Sequence, residues 1–192
     1  MSAEATARAV VIGASAGAIQ ALSDILPGLA ADFPLPIVIV VHVPADRQNI
    51  LAPLFEQKCR MSVREVEDKE PAERGTVFFA PSDYHVLVES DGTLSLSADE
   101  PVMHSRPSID VLFESAADAL GRNAVGIILT GANSDGAAGL KAIADAGGAV
   151  IVEDPAHAYA DAMPLAALKA CPSARIMSRK AIVRYLSEEL AR

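Results

Sequence analysis

Three residues able to do nucleophilic chemistry each stand just past a run of aliphatic side chains. Ser15 follows the first run in VVIGASAGAIQAL, His42 closes IVIVVH, and Asp135 comes shortly after GIILTG, within GANSDGAAG. A serine hydroxyl is a poor nucleophile at neutral pH until an imidazole takes its proton, and a carboxylate can hold that imidazole in the right tautomer. Serine, histidine and aspartate are the components of such a triad. Spacing along the chain does not by itself bring them together, so the elements that carry them have to.

Each residue also has a plainer use. Ser15 suits a tight turn or a helix N-cap as well as the G-x-S-x-G elbow, in which a serine sits on a sharp strand-to-helix turn. The same stretch could cradle a phosphate, but a dinucleotide site expects G-x-G-x-x-G and an acidic residue about 20 positions on. Here Ser15 takes the second glycine position and the next strand ends in His42, so both features count against a dinucleotide. His42 could be a hydrogen-bonded structural histidine, and Asp135 could cap the helix that follows it. His85, His104 and His157 are rival bases, but each falls in a predicted loop or hairpin.

The elements come from patterning. AVVIG (Ala9 to Gly13) leads into a helix with Ile19, Leu22 and Leu26 at helical spacing, stopped by Pro27-Gly28. IVIVVH leads through Pro44 to a helix near Gln48 to Lys58. MSVREV and GTVFFAP follow, then a hairpin of HVLVE and LSLS around Asp91-Gly92. Ser108 is placed to cap a helix carrying Ile109, Leu112, Phe113, Ala116 and Leu120, which Gly121 ends. Further on come a strand at Ala124 to Gly131, a helix, a strand at Ala149 to Glu153, a short helix started by Pro164, and a strand ARIMS. A last helix is capped by Ser178 and ends near Leu190. Aliphatic strands without polar alternation are buried on both faces. The expected class is therefore α/β: a doubly wound, mostly parallel sheet with helices on both faces, in three α/β/α layers. In such sheets reactive groups gather beyond the carboxyl ends of the strands, where Ser15, His42 and Asp135 fall.

Composition narrows the function. The 192 residues are 51% hydrophobic and 21% charged, which predicts a packed core and one domain over 1–192. A net charge of −9 would repel a phosphate backbone, so nucleic acid is not an expected partner. The N-terminus does not read as a signal peptide, and Ile37 to Val41 is far shorter than the ~20 residues a bilayer span needs. A cytoplasmic protein without membrane insertion is expected. Cys59 and Cys171 lie far apart with no C-x-x-C partner, and they read as reduced thiols rather than a disulfide or metal site. No metal or cofactor is expected.

VVIGASAG, VIVVHVP, FFAPSDYHV, SRPSIDVLFESAA, GRNAVGIILTGANSDGAAGL, VEDPAHA and MPLAAL, in that order, resemble the motifs of the catalytic domain of the chemotaxis protein-glutamate methylesterases, the CheB family. The likeness runs from about Ala9 to Leu186 and keeps the order Ser, His, Asp, which differs from the Ser, Asp, His order of α/β-hydrolases. It implies hydrolysis of γ-glutamyl methyl esters on chemoreceptor cytoplasmic domains, with release of methanol, and deamidation of certain receptor glutamines. The family's nucleophile matches Ser15, its histidine His42 and its aspartate Asp135. A receptor methyltransferase is a further candidate partner.

The tetrahedral oxyanion of ester attack needs donors where its charge develops. The backbone N–H of Ala16 is the natural candidate, with a second from the loop at Gly131 to Ser134, taken as Ala132. Several positions depart from the family pattern. Its Thr-Gly-Gly after the serine is Ala16-Gly17-Ala18, and its Gln-His-Met-Pro is Val41-His42-Val43-Pro44. Its Gly-Met-Gly-x-Asp is Gly131-Ala132-Asn133-Ser134-Asp135, and a basic cluster before Arg-Pro-Ser is thinned to Met103-His104-Ser105. The family's N-terminal receiver domain has no counterpart in these 192 residues, so a single domain without one is expected. The competing expectations are a binding module of the same fold that docks on a receptor or methyltransferase without efficient chemistry, and a nucleotide-binding α/β domain.

Overall fold

The computed structural model describes residues 8–43 and 50–191. Seven strands form one parallel sheet: β1 (Ala9–Ala14), β2 (Ile37–Val41), β3 (Ser62–Glu65), β5 (Thr76–Phe79), β8 (Ala124–Ile128), β9 (Ala149–Glu153) and β10 (Arg175–Met177). Their order is β10-β9-β8-β1-β2-β5-β3. The short β4 (Glu70–Pro71), β6 (His85–Val88) and β7 (Thr93–Ser97) form a separate antiparallel sheet in the order β4-β7-β6.

Aliphatic runs without polar alternation become central strands because both of their faces are covered. Along β1, Val10, Ile12 and Ala14 face one core while Ala9 and Val11 face the other. The first core also takes α1 (Ala18–Ile25), α2 (Leu51–Glu56) and α6 (Arg179–Arg184), which runs on through a π-helical segment, Tyr185–Leu190. The second takes α3 (Ile109–Leu120), α4 (Ala137–Asp145), α5 (Ala162–Ala170) and the β6–β7 hairpin. The three-layer α/β/α arrangement follows. Each fully buried Leu, Ile or Phe in these layers contributes about 1.5–3 kcal/mol of apolar burial.

Several expectations shift in detail. On α1 the buried face is Ala18, Ala21, Leu22 and Ile25, so Ile19 points outward and is 41% exposed. A helix of eight residues packed on a sheet buries only the stripe nearest the strands, and small alanines widen that stripe away from Ile19. Leu26 falls in a short 3₁₀ turn with Pro27. The second helix begins, within the described residues, at Leu51, and Gln48 lies outside them. α5 starts at Ala162, two residues before Pro164. The hairpin forms as expected, with His85 opposite Ser97 and Val88 opposite Leu94. Ser108 and Ser178 both cap, accepting from Val111 N–H at 3.5 Å and Ala181 N–H at 3.2 Å.

The sheet changes direction at β1. From β1 the chain builds outward through β2 to β5 and β3, and later returns on the other side of β1 as β8, β9 and β10. Such a switch point opens a crevice at the carboxyl end of the strands. The loops after β1, β2 and β8 are tied together there: Ser15 N–H donates to Thr130 O at 2.9 Å, and His42 N–H to Ala14 O at 3.0 Å.

Candidate active site

His42 leaves β2 with its ring between two polar partners. Its Nε2 is 2.8 Å from Asp135 Oδ2, and its Nδ1 is 3.1 Å from Asn133 Nδ2. Heavy atoms alone define the protons here. An ionised carboxylate only accepts, so Nε2 carries the hydrogen and donates it to Asp135. Asn133 Oδ1 accepts from Asp135 N–H at 3.0 Å, which turns the amide nitrogen toward Nδ1. Nδ1 is therefore the unprotonated, basic nitrogen.

Asp135 is 1% exposed and accepts four hydrogen bonds. Besides His42, they come from Ser108 Oγ at 2.9 Å, Ile109 N–H at 2.7 Å and Asp110 N–H at 2.9 Å. Burial pushes this carboxyl up, but the hydrogen bond from His42, the two backbone N–H groups and the charge of His42 together hold it below the ordinary aspartate value. The cap reading is corrected by this geometry. Asp135 does not cap α4, whose N-cap is Gly136; it sits at the N-terminus of α3. Asp110 returns the exchange, its Oδ1 accepting from Gly136 N–H at 3.0 Å and Gly139 N–H at 2.7 Å. Burial and the nearby charge of Asp135 raise the Asp110 carboxyl despite those bonds. Each helix thus holds its neighbour's aspartate at its own positive end, which fixes Asp135 from behind.

Ser15 begins the turn between β1 and α1. Its backbone does not take positive φ; the left-handed residue is Gly17, at φ 84, so the turn is not the serine-strained elbow of the α/β-hydrolases. A Cβ at Gly17 would stand 2.7 Å from Tyr159 Cβ, so glycine is required by conformation and by space together. Thr130 fastens this turn, donating from Oγ1 to Ala16 O at 2.8 Å and accepting from Ala160 N–H at 2.9 Å. Among the described residues, the N–H groups of Ala16 and Ala132 have no acceptor, and the Ser15 hydroxyl has no hydrogen-bond partner.

Ser15 and His42 line one cavity of about 380 Å³, together with Ile19, Val41, Val43, Ile50 and Leu51. Among the described residues its wall is mostly aliphatic and carries no lysine or arginine, which suits an uncharged acyl group better than a free carboxylate. A larger cavity of about 700 Å³ opens between α1 and α6, lined by Asp24, Arg179, Lys180 and Arg184. Of its two serines, Ser178 is taken up in capping α6 while Ser187 lies on the π-helical segment, and its histidine His157 stands 3.1 Å from Asp154. Of the other rival bases, His85 is buried with Nδ1 accepting from Ser108 N–H at 3.1 Å and Nε2 3.0 Å from Glu100 O. Both of its nitrogens are used structurally. Among the described residues no group of three or more His, Cys, Asp or Glu could hold a metal ion, and Cys59 and Cys171 are unpaired.

The sequence profile of the CheB methylesterase family matches residues 10–186. The chain belongs to the CheB methylesterase family. A crystal structure of the Thermotoga maritima CheB methylesterase catalytic domain superposes with a TM-score of 0.89 at 30% identity, covering 94% of this chain and 97% of that one. A Leptospira interrogans relative, provisionally named a protein-glutamate methylesterase/protein-glutamine glutaminase, is 45% identical over 174 residues, or 91% of this chain and 90% of its own. Protein-glutamate methylesterase/protein-glutamine glutaminase 3 of Geobacter metallireducens is 39% identical over 94% of this chain, and protein-glutamate methylesterase/protein-glutamine glutaminase 2 of Anaeromyxobacter dehalogenans is 41% identical over 93%. The chain spans about half the length of these last two, 52% of each.

Within this CheB domain, the structure joins His42 to Asp135 directly and sets Ser15 on the same cavity wall. Ser108, Asp110, Thr130 and Asn133 escaped the sequence reading as parts of the site. Each acts across elements far apart in sequence, and no local spacing announces such a partner.

Proposed function

We propose that this chain is a protein-glutamate methylesterase acting on methylated chemoreceptor cytoplasmic domains in the cytoplasm, and a glutaminase on receptor glutamines. The relatives' names, the family match and the mostly aliphatic described wall of the cavity support the reading. The observation that carries it is the 2.8 Å contact of His42 Nε2 with buried Asp135, on the same crevice as Ser15.

The chemistry runs through Nδ1. Ser15 Oγ attacks the ester carbonyl carbon and gives its proton to His42 Nδ1, while Asp135 stabilises the imidazolium through Nε2–H. The oxyanion takes the N–H groups of Ala16 and Ala132. Collapse expels methoxide, which leaves as methanol with the proton from Nδ1, and an acyl-Ser15 remains. Water, deprotonated at the same nitrogen, hydrolyses it to glutamate and free serine. Deamidation follows the same steps with ammonia as the leaving group.

A second reading, a receptor- or methyltransferase-docking module with little turnover, is favoured by one observation: Ser15 Oγ makes no hydrogen bond to His42. A methanol-release assay on methylated receptor tests the proposal. Wild type should release methanol, while Ser15→Ala and His42→Gln should fall to background. Equal background release from all three overturns the esterase and leaves the module.

A further inference from the structure

The geometry points to Asn133 as a latch on the base nitrogen of His42, a positioning residue that the Ser15 hydroxyl has to displace before it reacts. This rests on the reading of His42 as the general base. Nδ1 has one lone pair, and in the folded site it accepts from Asn133 Nδ2 at 3.1 Å. Ser15 lines the same cavity, and among the described residues its hydroxyl has no partner. The acceptor it needs is already engaged.

The amide is aimed rather than accidental in orientation. Asn133 Oδ1 closes an Asx turn on Asp135 N–H at 3.0 Å, so the residue that follows Asn133 by two is the aspartate holding the other side of the ring. One short segment, Asn133 to Asp135, therefore grips both imidazole nitrogens. The two grips do different work. Asp135 can only accept, so it keeps the proton on Nε2 whether or not Asn133 is present. Asn133 governs only whether Nδ1 is open. It is exposed, as are Ala132 and Ser134 beside it, so water can receive the amide when it swings away.

Two donors competing for one lone pair make a measurable difference. Asn133→Ser keeps an oxygen able to accept Asp135 N–H but is too short to cover Nδ1. Its Ser15 should react with a fluorophosphonate about threefold to tenfold faster than wild type, the factor that a net hydrogen bond between neutral groups carries. Asn133→Asp keeps the size but sets a carboxylate against Nδ1 and should react more slowly than wild type. In protein labelled with ¹⁵N-histidine, the Nδ1 resonance absent from His42→Gln should move in Asn133→Ser while the Nε2–H signal stays. A rate in Asn133→Ser equal to or below wild type, or an unmoved Nδ1 resonance, overturns the latch. If neither wild type nor Asn133→Ser is labelled above Ser15→Ala, the general-base reading fails and the latch fails with it. Labelling of both at one rate overturns the latch alone.

Discussion

At the scale of single residues, Asp135 is the position with least freedom. Its Oδ2 takes His42 and Ile109 N–H, and its Oδ1 takes Ser108 Oγ and Asp110 N–H. In Asp135→Asn the new NH₂ faces an N–H donor whichever way the amide is turned. The variant should lose about 1–3 kcal/mol of stability through a donor left unmet and crowded, and turnover should fall by about 10⁴ as the ring loses its fixed tautomer. Methanol release and a urea melt check the two parts separately. The pH dependence has a definite sign. Folding holds the Asp135 carboxyl down, so its stabilisation is complete above the unfolded value near pH ~4 and is lost as pH falls through the folded value. The stability gap between wild type and Asp135→Asn should stay wide at neutral pH and narrow in acid. A gap that widens on acidification contradicts the pairing.

Between elements, the exchange of aspartates across the α3 and α4 N-termini sets a second prediction with the opposite sign. Folding raises Asp110, so its contribution is full below the unfolded value and is lost as pH rises through the folded one. The Gly136 and Gly139 N–H groups both use Asp110 Oδ1, and an asparagine can keep both. Asp110→Asn should therefore melt at or above wild type at pH 7 and lose that advantage in acid, measured by paired thermal melts. Gly136, between the two helices, has φ 96, and a Cβ there would stand 2.6 Å from Ile109 Cγ2 and Ile128 Cδ1. Gly136→Ala should cost roughly 1–3 kcal/mol and shift Asp135, lowering methanol release more than any surface Gly→Ala change. These elements divide what the chain reveals locally from what it hides. The aliphatic strands β1, β2, β8 and β9, the caps Ser108 and Ser178, and the stop at Gly121 follow from neighbours in sequence, and so did the strand-end positions of Ser15, His42 and Asp135. The two-residue strand Glu70–Pro71 carries too little pattern to read. The outward turn of Ile19 depends on which stripe of α1 meets the sheet. Asp135 precedes α4 and so reads as its cap, yet register brings it under α3, a relation between residues 25 and 26 positions apart. Asn133 carries no local mark of its role, because the imidazole it meets is 91 residues away.

Across the whole molecule, the crevice is fastened to the last helix by one buried carboxylate. Glu153, at the end of β9, is fully buried; its Oε2 accepts from Thr130 N–H at 2.8 Å and its Oε1 from Arg179 Nε at 2.7 Å. Arg179 continues to Asp24 on α1 at 2.8 Å. The chain of contacts runs from α1 and α6 to Thr130, and the Thr130 hydroxyl holds the Ala16 carbonyl beside the nucleophile. Arg179→Met keeps the stem but strips the charge, leaving Glu153 buried with one donor. Removing one partner of a buried pair costs about 3–5 kcal/mol, whereas replacing both with apolar groups of similar volume is often close to neutral. Arg179→Met should thus lower the melting temperature sharply, and Glu153→Leu combined with Arg179→Met should recover much of the loss. The double variant also removes the acceptor of buried Thr130 N–H, so its recovery of stability should stop about 1–3 kcal/mol short and full methanol release should not return. Recovery of both together would mean that this carboxylate supports the fold alone and has no hold on the Ser15 turn.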